Sequence, residues 1–392
     1  MIRAAALLFS ALLALAACAP RPPPPPRLTL AAASFADLRG WRDDPVAAAL
    51  PAFVKSCDAL GKLADDTPVG PDGIAGTTAD WRAPCAAAAA LRDPSDDDAR
   101  RFIEAQFTPF LAGNNGKREG LFTGYFEPEL RGARQEGGAY TVPLLRRPPD
   151  LVMVELGQFR PAWRGERIAG RVVDGRLRPY ADRVAIEHGA LDRFHLGFLW
   201  VDDPVDAFFL GVQGSGRVRL ADGTLVRVGY DGQNGWPYVA IGRLLVERGA
   251  MAKEDVSLAA IRAWIAAHPA AGKALMDENP SYVFFRELHG DGPIGAEGVV
   301  LTAGRSLAID PAFLPLGVPV WLDLAQDGRV LRRLVVAQDT GGAIRGPVRG
   351  DLFWGFGAQA EAEAGRMRAE GAYYLLLPKR LAVARQSIAS SR

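Results

Sequence analysis

The final third of the chain is written in apolar runs too short to be helices. Val318-Pro319-Val320-Trp321-Leu322, Leu331-Arg332-Arg333-Leu334-Val335-Val336-Ala337 and Tyr373-Tyr374-Leu375-Leu376-Leu377 are separated by turns, with glycine and proline as punctuation. Runs of this length and content read as strands. Several of them in succession point to a small closed barrel, which removes the unpaired edges that short strands would otherwise expose.

Upstream the pattern changes twice. Residues 36–113 read as mostly helical: Phe53, Leu60 and Leu63 form a stripe, and Ser95 is placed to cap a segment running to Phe110. Asp96, Asp97 and Asp98 would fill its first turn, where the helix dipole favours negative charge. From Gly120 to about Tyr238 short alternating runs return. Gly216 to Val228 reads as strand, Asp222-Gly223 turn, strand, a hairpin signal. Between Ala240 and Glu278 helices reappear, with Leu258, Ile261, Trp264 and Ile265 on one face. The expected fold class is mainly β with a helical N-terminal layer, and no repeat of solenoid or propeller period interrupts it.

The N-terminus carries a different message. Arg3 is followed by an apolar and small-residue run from Ala4 to Ala17 that stops at Cys18, the arrangement of a secretory signal, expected over residues 1–17. The run is shorter than the roughly 20 residues that span a bilayer. Leu15-Ala16-Ala17-Cys18 resembles a lipobox, so cleavage before Cys18 and diacylation of its thiol are expected; a simple cleaved signal with an incidental cysteine is the alternative. Ala19, by resemblance to lipoprotein sorting, favours an outer-membrane lipoprotein facing the periplasm. Residues 18–35, with Pro20 and Pro22 to Pro26, read as an extended linker. Cys57 and Cys85 then remain as one disulfide candidate in an oxidising compartment, or as two buried thiols. With 46 basic and 45 acidic side chains interspersed, there is no electrostatic case for nucleic acid, and the only membrane contact expected is the anchor.

Common catalytic signatures are missing. There is no H-E-x-x-H, no G-x-x-x-x-G-K-[ST] and no G-x-S-x-G, and His188, His195, His268 and His289 lack metal spacing, so no metal and no cofactor are expected. Gly355 to Ala360 matches G-x-G-x-x-A, but no acidic residue follows about 20 positions on, and dinucleotide binding is rejected. What remains is Asp310, Asp339 and Asp351. Each could be a turn former bonding nearby amides. Three in one barrel-like segment, with Asp351 among Gly346, Pro347, Gly350, Trp354, Gly355 and Gly357, suggest a cleft where backbone and substrate approach closely.

Those residues sit in longer stretches that resemble a family. Asn279 to Phe285, Ala308 to Gly317 and Ala337 to Gly346 followed by Asp351 strongly resemble the membrane-bound lytic murein transglycosylase A family, and the three aspartates match its C-terminal 3D region. Leu121 to Pro128 and Val212 to Gly216 look like the family's substrate-side motifs. The resemblance implies a double-psi β-barrel built from residues 36–119 and 240–385, with the 3D region at about 299–378. A second β domain would be inserted at 120–239, with a long groove between the two and a disordered tail over 386–392.

The same resemblance implies cleavage of the MurNAc-GlcNAc β-1,4 bond of peptidoglycan glycan strands, leaving a 1,6-anhydroMurNAc end, with exo action on resemblance alone. Asp351 matches the catalytic aspartate, acting as single acid and base; Asp339 and Asp310 match two supporting carboxylates. Whether Asp339 would raise the pKa of Asp351 or only orient it stays open. Thr123, Gly124, Tyr125, Gln213, Gly214, Ser215 and Trp354 are the substrate-binding candidates. Tyr125, Trp236 and Trp354 are candidates for stacking on sugars, against the ordinary role of core packing. A hydrolytic muramidase and a noncatalytic glycan-binding barrel are the competing readings.

Overall fold

The computed structural model describes residues 24–163, 166–290 and 292–381. The signal segment, Cys18 and the tail at 386–392 lie outside the described residues. Strand β1 (Leu28–Ala32) pairs antiparallel with β2 (Phe107–Asn114), so residues inside the range read as linker take part in the sheet. Between them come α1 (Leu50–Gly61), α2 (Thr78–Ala90) and α3 (Asp96–Gln106). Ser95 caps α3 as expected, accepting from Asp98 N at 3.2 Å while Asp98 reaches back to Ser95 N at 3.2 Å. The helix stops at Gln106, however, and Phe107 to Asn114 is strand. Pro109 cannot continue a helix, and Phe107 and Phe110 enter the core formed with the barrel. Cys57 of α1 and Cys85 of α2 are bonded, with Cα atoms 5.4 Å apart. Closing a loop of 28 residues stabilises the pair by roughly 3 to 4 kcal/mol on the chain-entropy model.

The barrel strands come from both sides of a long insertion: β3 (Gly120–Glu127) before it, and β13 (Ser306–Ile309), β14 (Pro319–Gln326), β15 (Arg329–Thr340), β16 (Arg349–Phe356) and β17 (Arg368–Pro378) after it. They close in the order β17, β14, β15, β13, β16, β3 and back to β17, a six-stranded barrel. Strand β2 adds to β17 outside the ring. The interior is apolar, with Phe122, Leu307, Val320, Leu322, Leu352 and Leu375 buried and continuous with Phe53, Trp81, Phe102 and Phe107 under the helices.

The insertion contains β4 (Glu129–Ala133), β5 (Val142–Leu145), β6 (Val152–Glu155), β7 (Arg167–Val173), β8 (Arg176–Pro179), β9 (Gly197–Val201), β10 (Ser215–Arg219), β11 (Leu225–Gln233) and β12 (Val283–Leu288). Six of these form a sheet ordered β12, β11, β10, β4, β9, β5, and β6 to β8 form a separate small sheet. The β10–β11 hairpin is the expected one, turning through Asp222, which accepts from Thr224 N at 2.8 Å. Its helices are α4 (Arg183–Glu187), α5 (Pro204–Gln213), α6 (Ile241–Glu247), α7 (Leu258–Ala267) and α8 (Pro269–Asp277).

Ile261 and Ile265 of α7 pack with Phe208 and Phe209 of α5, Leu258 and Trp264 lying against the same cluster. The division drawn at 120 and 239 therefore moves. Residues 120–127 belong to the barrel, while α6 to α8 and β12 belong to the insertion, because their apolar faces are buried there. Helix α9 (Gly357–Arg366) packs on β3 and β16.

Candidate active site

Four adjacent barrel strands bring Thr123, Asp351, Ala308 and Asp339 into one row. β16 is parallel to β3 with Asp351 opposite Thr123, and antiparallel to β13 with Asp351 opposite Ala308; β13 is parallel to β15 with Ala308 opposite Asp339. Side chains alternate faces along a strand. Arg349, Asp351 and Phe353 thus share one face of β16, next to Thr123 and Tyr125 of β3, and Gly124, Leu352 and Trp354 take the other.

Asp351 is half-buried, and Thr123 Oγ1 donates to its Oδ1 at 2.6 Å. Burial pushes its carboxyl up to about 6; the Asp339 charge adds to this, while the Thr123 hydrogen bond and the Arg349 guanidinium work against it. Asp339 accepts from three donors: Tyr125 OH at 2.7 Å on Oδ2, and Ala296 N and Thr340 N, both at 2.9 Å, on Oδ1. Desolvation raises the Asp339 pKa, and those hydrogen bonds oppose it. Tyr125 is held well above its usual range by burial and by the neighbouring carboxylates, so it stays a hydrogen-bond donor.

Asp339 is aimed by a β-bulge. Between Leu307 and Ala308 the register with β15 jumps from Ala337 to Asp339, leaving Gln338 as the extra residue. Gln338 is fully buried, donating to Ala52 O and Ser56 Oγ at 2.9 Å each and accepting from Ser306 Oγ at 2.5 Å. Ser56, next to the disulfide at Cys57, donates to Glu297 Oε2 at 2.7 Å. Burial raises the Glu297 carboxyl to about 7. The stapled helix α1 thus grips the residue before Asp339.

The remaining candidates divide. Asp310, 2% exposed, accepts from Ala312 N at 3.1 Å and Gly346 N at 2.7 Å, so it clamps the loop between β15 and β16. Gln213 uses its carbonyl on Phe126 N at 3.1 Å, tying α5 to β3. Gly214 ends α5 at φ +80°, and Ser215 opens β10 half-buried.

Tyr125 and Trp354 pack as the ordinary core role of an aromatic would have them. Tyr125 is 8% exposed with its ring against Phe353, 5.2 Å between centroids. Trp354 lies on the face of β16 opposite Asp351, over Gly124, where a Cβ would come within 2.6 Å of its Nε1. It borders a cavity of about 890 Å³ lined also by Ser257, Leu331 and Met367, in which none of the three aspartates takes part. Trp236, bonded to Tyr180 O at 2.8 Å, sits in the insertion beside β7 and β8.

Reading motifs alone missed Arg349. Its Nη2 donates to Thr123 Oγ1 at 2.8 Å and its Nη1 to Leu121 O at 3.2 Å and to Gly350 O. The signal was its place two residues before Asp351 in a strand, which puts both on one face.

A family model described as the MltA specific insert domain matches residues 121–286, and one described as the 3D domain matches 305–377. The membrane-bound lytic murein transglycosylase A of Vibrio cholerae is 31% identical over 275 residues, 68% of this chain and 67% of that protein. A solved membrane-bound lytic murein transglycosylase from Agrobacterium tumefaciens superposes with a TM-score of 0.81 at 33% identity, over 91% of this chain and 99% of that one. Escherichia coli MltA, solved with bound chitohexaose, matches at 25% identity and a TM-score of 0.64, over 86% and 91% of the two chains. Matches that run through both the insertion and the barrel, in the order found here, place the chain in the membrane-bound lytic murein transglycosylase A family.

Proposed function

We propose that the chain cleaves the MurNAc-GlcNAc β-1,4 bond of peptidoglycan and leaves a 1,6-anhydroMurNAc end, with Asp351 as the single acid and base. The observation that carries this reading is the contrast between two neighbouring carboxyls. Burial raises the pKa of both, but three hydrogen bonds to Asp339 oppose the rise and favour its carboxylate, against one from Thr123 to Asp351. Asp351, lifted to about 6, can hold a proton near neutrality. In this reading Asp339 both holds the site's negative charge and helps raise Asp351.

The sequence of bonds balances without water. Asp351 gives its proton to the bridging oxygen as the C1–O4 bond breaks. Positive charge grows at C1 beside the ionised Asp339. The Asp351 carboxylate then takes the proton of the C6 hydroxyl as O6 closes on C1, which returns Asp351 to its acid form. Glycosidases that hydrolyse need a second carboxylate to activate water; the paired groups here are a donor-saturated anion and an acid.

Asp351→Asn should lower release of anhydromuropeptides from purified sacculi by about 10² to 10⁴ while the melting curve stays in place. Wild-type activity would remove Asp351 from the reaction, and products heavier by one water would make the enzyme a muramidase. Because the acid form starts the cycle, kcat/KM should fall as pH rises through about 6.

The barrel is proposed to be of the double-psi type. The membrane association implied by the family is proposed to come from diacylation of Cys18 at the outer membrane, facing the periplasm; among the described residues no helix is long and apolar enough to cross a membrane. Cys18→Ala should move the protein to the soluble periplasmic fraction, and retention in the membrane would refute the anchor.

A further inference from the structure

We infer that Arg349, acting through the Thr123 hydroxyl, fixes which oxygen of Asp351 carries the catalytic proton, a role that rests on the reaction proposed above. Arg349 has only N–H donors, so Thr123 Oγ1 must accept at its 2.8 Å contact. The single hydroxyl proton of Thr123 is then directed to its one acceptor among the described residues, Asp351 Oδ1, at 2.6 Å. If Oδ1 were protonated, Thr123 would have to accept twice and leave its own proton without a partner. Oδ1 is therefore the accepting oxygen, and the acid proton resides on Oδ2. Arg349 is itself held in place by the carbonyls of Leu121 and Gly350, so the direction is built into the pairing of β3 with β16.

This makes Arg349 a positioning residue. It costs the acid something: its cation and the Thr123 bond both favour the Asp351 carboxylate. The charged and titratable groups facing Asp351 are Arg349 of β16, Asp339 of β15 and Tyr125 of β3. β13 offers only Ala308 at that register. The relay thus gives up some proton affinity in exchange for presenting the proton from one defined oxygen.

The test is a double-mutant cycle in the full-length protein, with kcat and KM measured on soluble peptidoglycan oligomers across pH. Arg349→Met and Thr123→Val should each lower kcat about tenfold with KM within about twofold, the lower range for a misdirected proton transfer. Each also removes an interaction favouring the carboxylate, so the alkaline limb of the profile should move to higher pH. The double variant should have a kcat close to that of the worse single variant, since both changes break one relay.

Additive losses in kcat, a change confined to KM, or unmoved alkaline limbs would overturn the inference. Thr123→Val leaves the backbone contacts of Arg349 in place, so it decides the matter alone should Arg349→Met not fold: wild-type kcat there also overturns it. An inactive Asp351→Asn beside a wild-type-like Thr123→Val would overturn only the relay, whereas an active Asp351→Asn would overturn the reaction on which it rests.

Discussion

Strand β3 carries two regions that hold carboxylates in opposite ways. At its end, Glu127 is completely buried between Arg217 and Arg227, each 3.0 Å away, where the barrel passes into the insertion. A few residues earlier, Thr123 and Tyr125 face Asp351 and Asp339, and the groups that touch those two are hydroxyls and backbone amides. Arg349 makes its hydrogen bond to Thr123 and acts on Asp351 itself only as a nearby charge. The contrast separates structure from chemistry. Paired with two guanidinium groups, a carboxylate becomes a rivet; surrounded by neutral donors, it keeps the capacity to exchange a proton.

The comparison can be broken at either end. The loss of activity expected for Asp351→Asn is the largest effect, and it should leave stability unchanged. Next, Glu127→Ala should destabilise the fold by about 3 to 5 kcal/mol, because it leaves two largely buried cations without their partner. Chemical denaturation would measure this, and a loss below about 1 kcal/mol would mean that Glu127 is not a rivet. Tyr125→Phe should cost about tenfold in kcat with little change in melting, by taking one donor from Asp339. An effect on stability alone would reverse the roles of the two ends.

The smallest effect concerns Glu297. Its folded pKa of about 7 lies above the ordinary value of 4.5, so the folded state keeps a proton that the unfolded chain has released. That part of stability is present at low pH and is lost as pH rises through about 7. Glu297→Gln should therefore raise the melting temperature at pH 8 and leave it unchanged at pH 4. An equal shift at both pH values would show that Glu297 does not titrate in this range.

What was legible in the sequence was local. Ser95 and Asp98 announced a helix start, Asp222-Gly223 a hairpin, and the short C-terminal runs a barrel that the strand pairing closes. Phe107 to Asn114 was misread because a helix start says nothing about where an apolar continuation will be buried, and here that is decided by pairing with β17. The motif around Asp339 and Asp351 was visible, whereas the role of each side chain was not. Tyr125 and Trp354 have the same aromatic character in sequence. Only strand register puts one on Asp339 and the other on the opposite face. Asp310 likewise matched a pattern whose physical content, two backbone amides in a loop, is long-range for Gly346.

The pairing of Thr123 with Asp351 joins positions 228 residues apart, and β3 needs β17 as well as β16 to close the ring. A chain emerging from the ribosome, N-terminus first, therefore has neither this pairing nor a closed barrel until nearly all of it has been made. An enzyme that cuts load-bearing polymer would in this way be harmless while incomplete, and premature termination or C-terminal clipping would yield inert fragments rather than unregulated cutters.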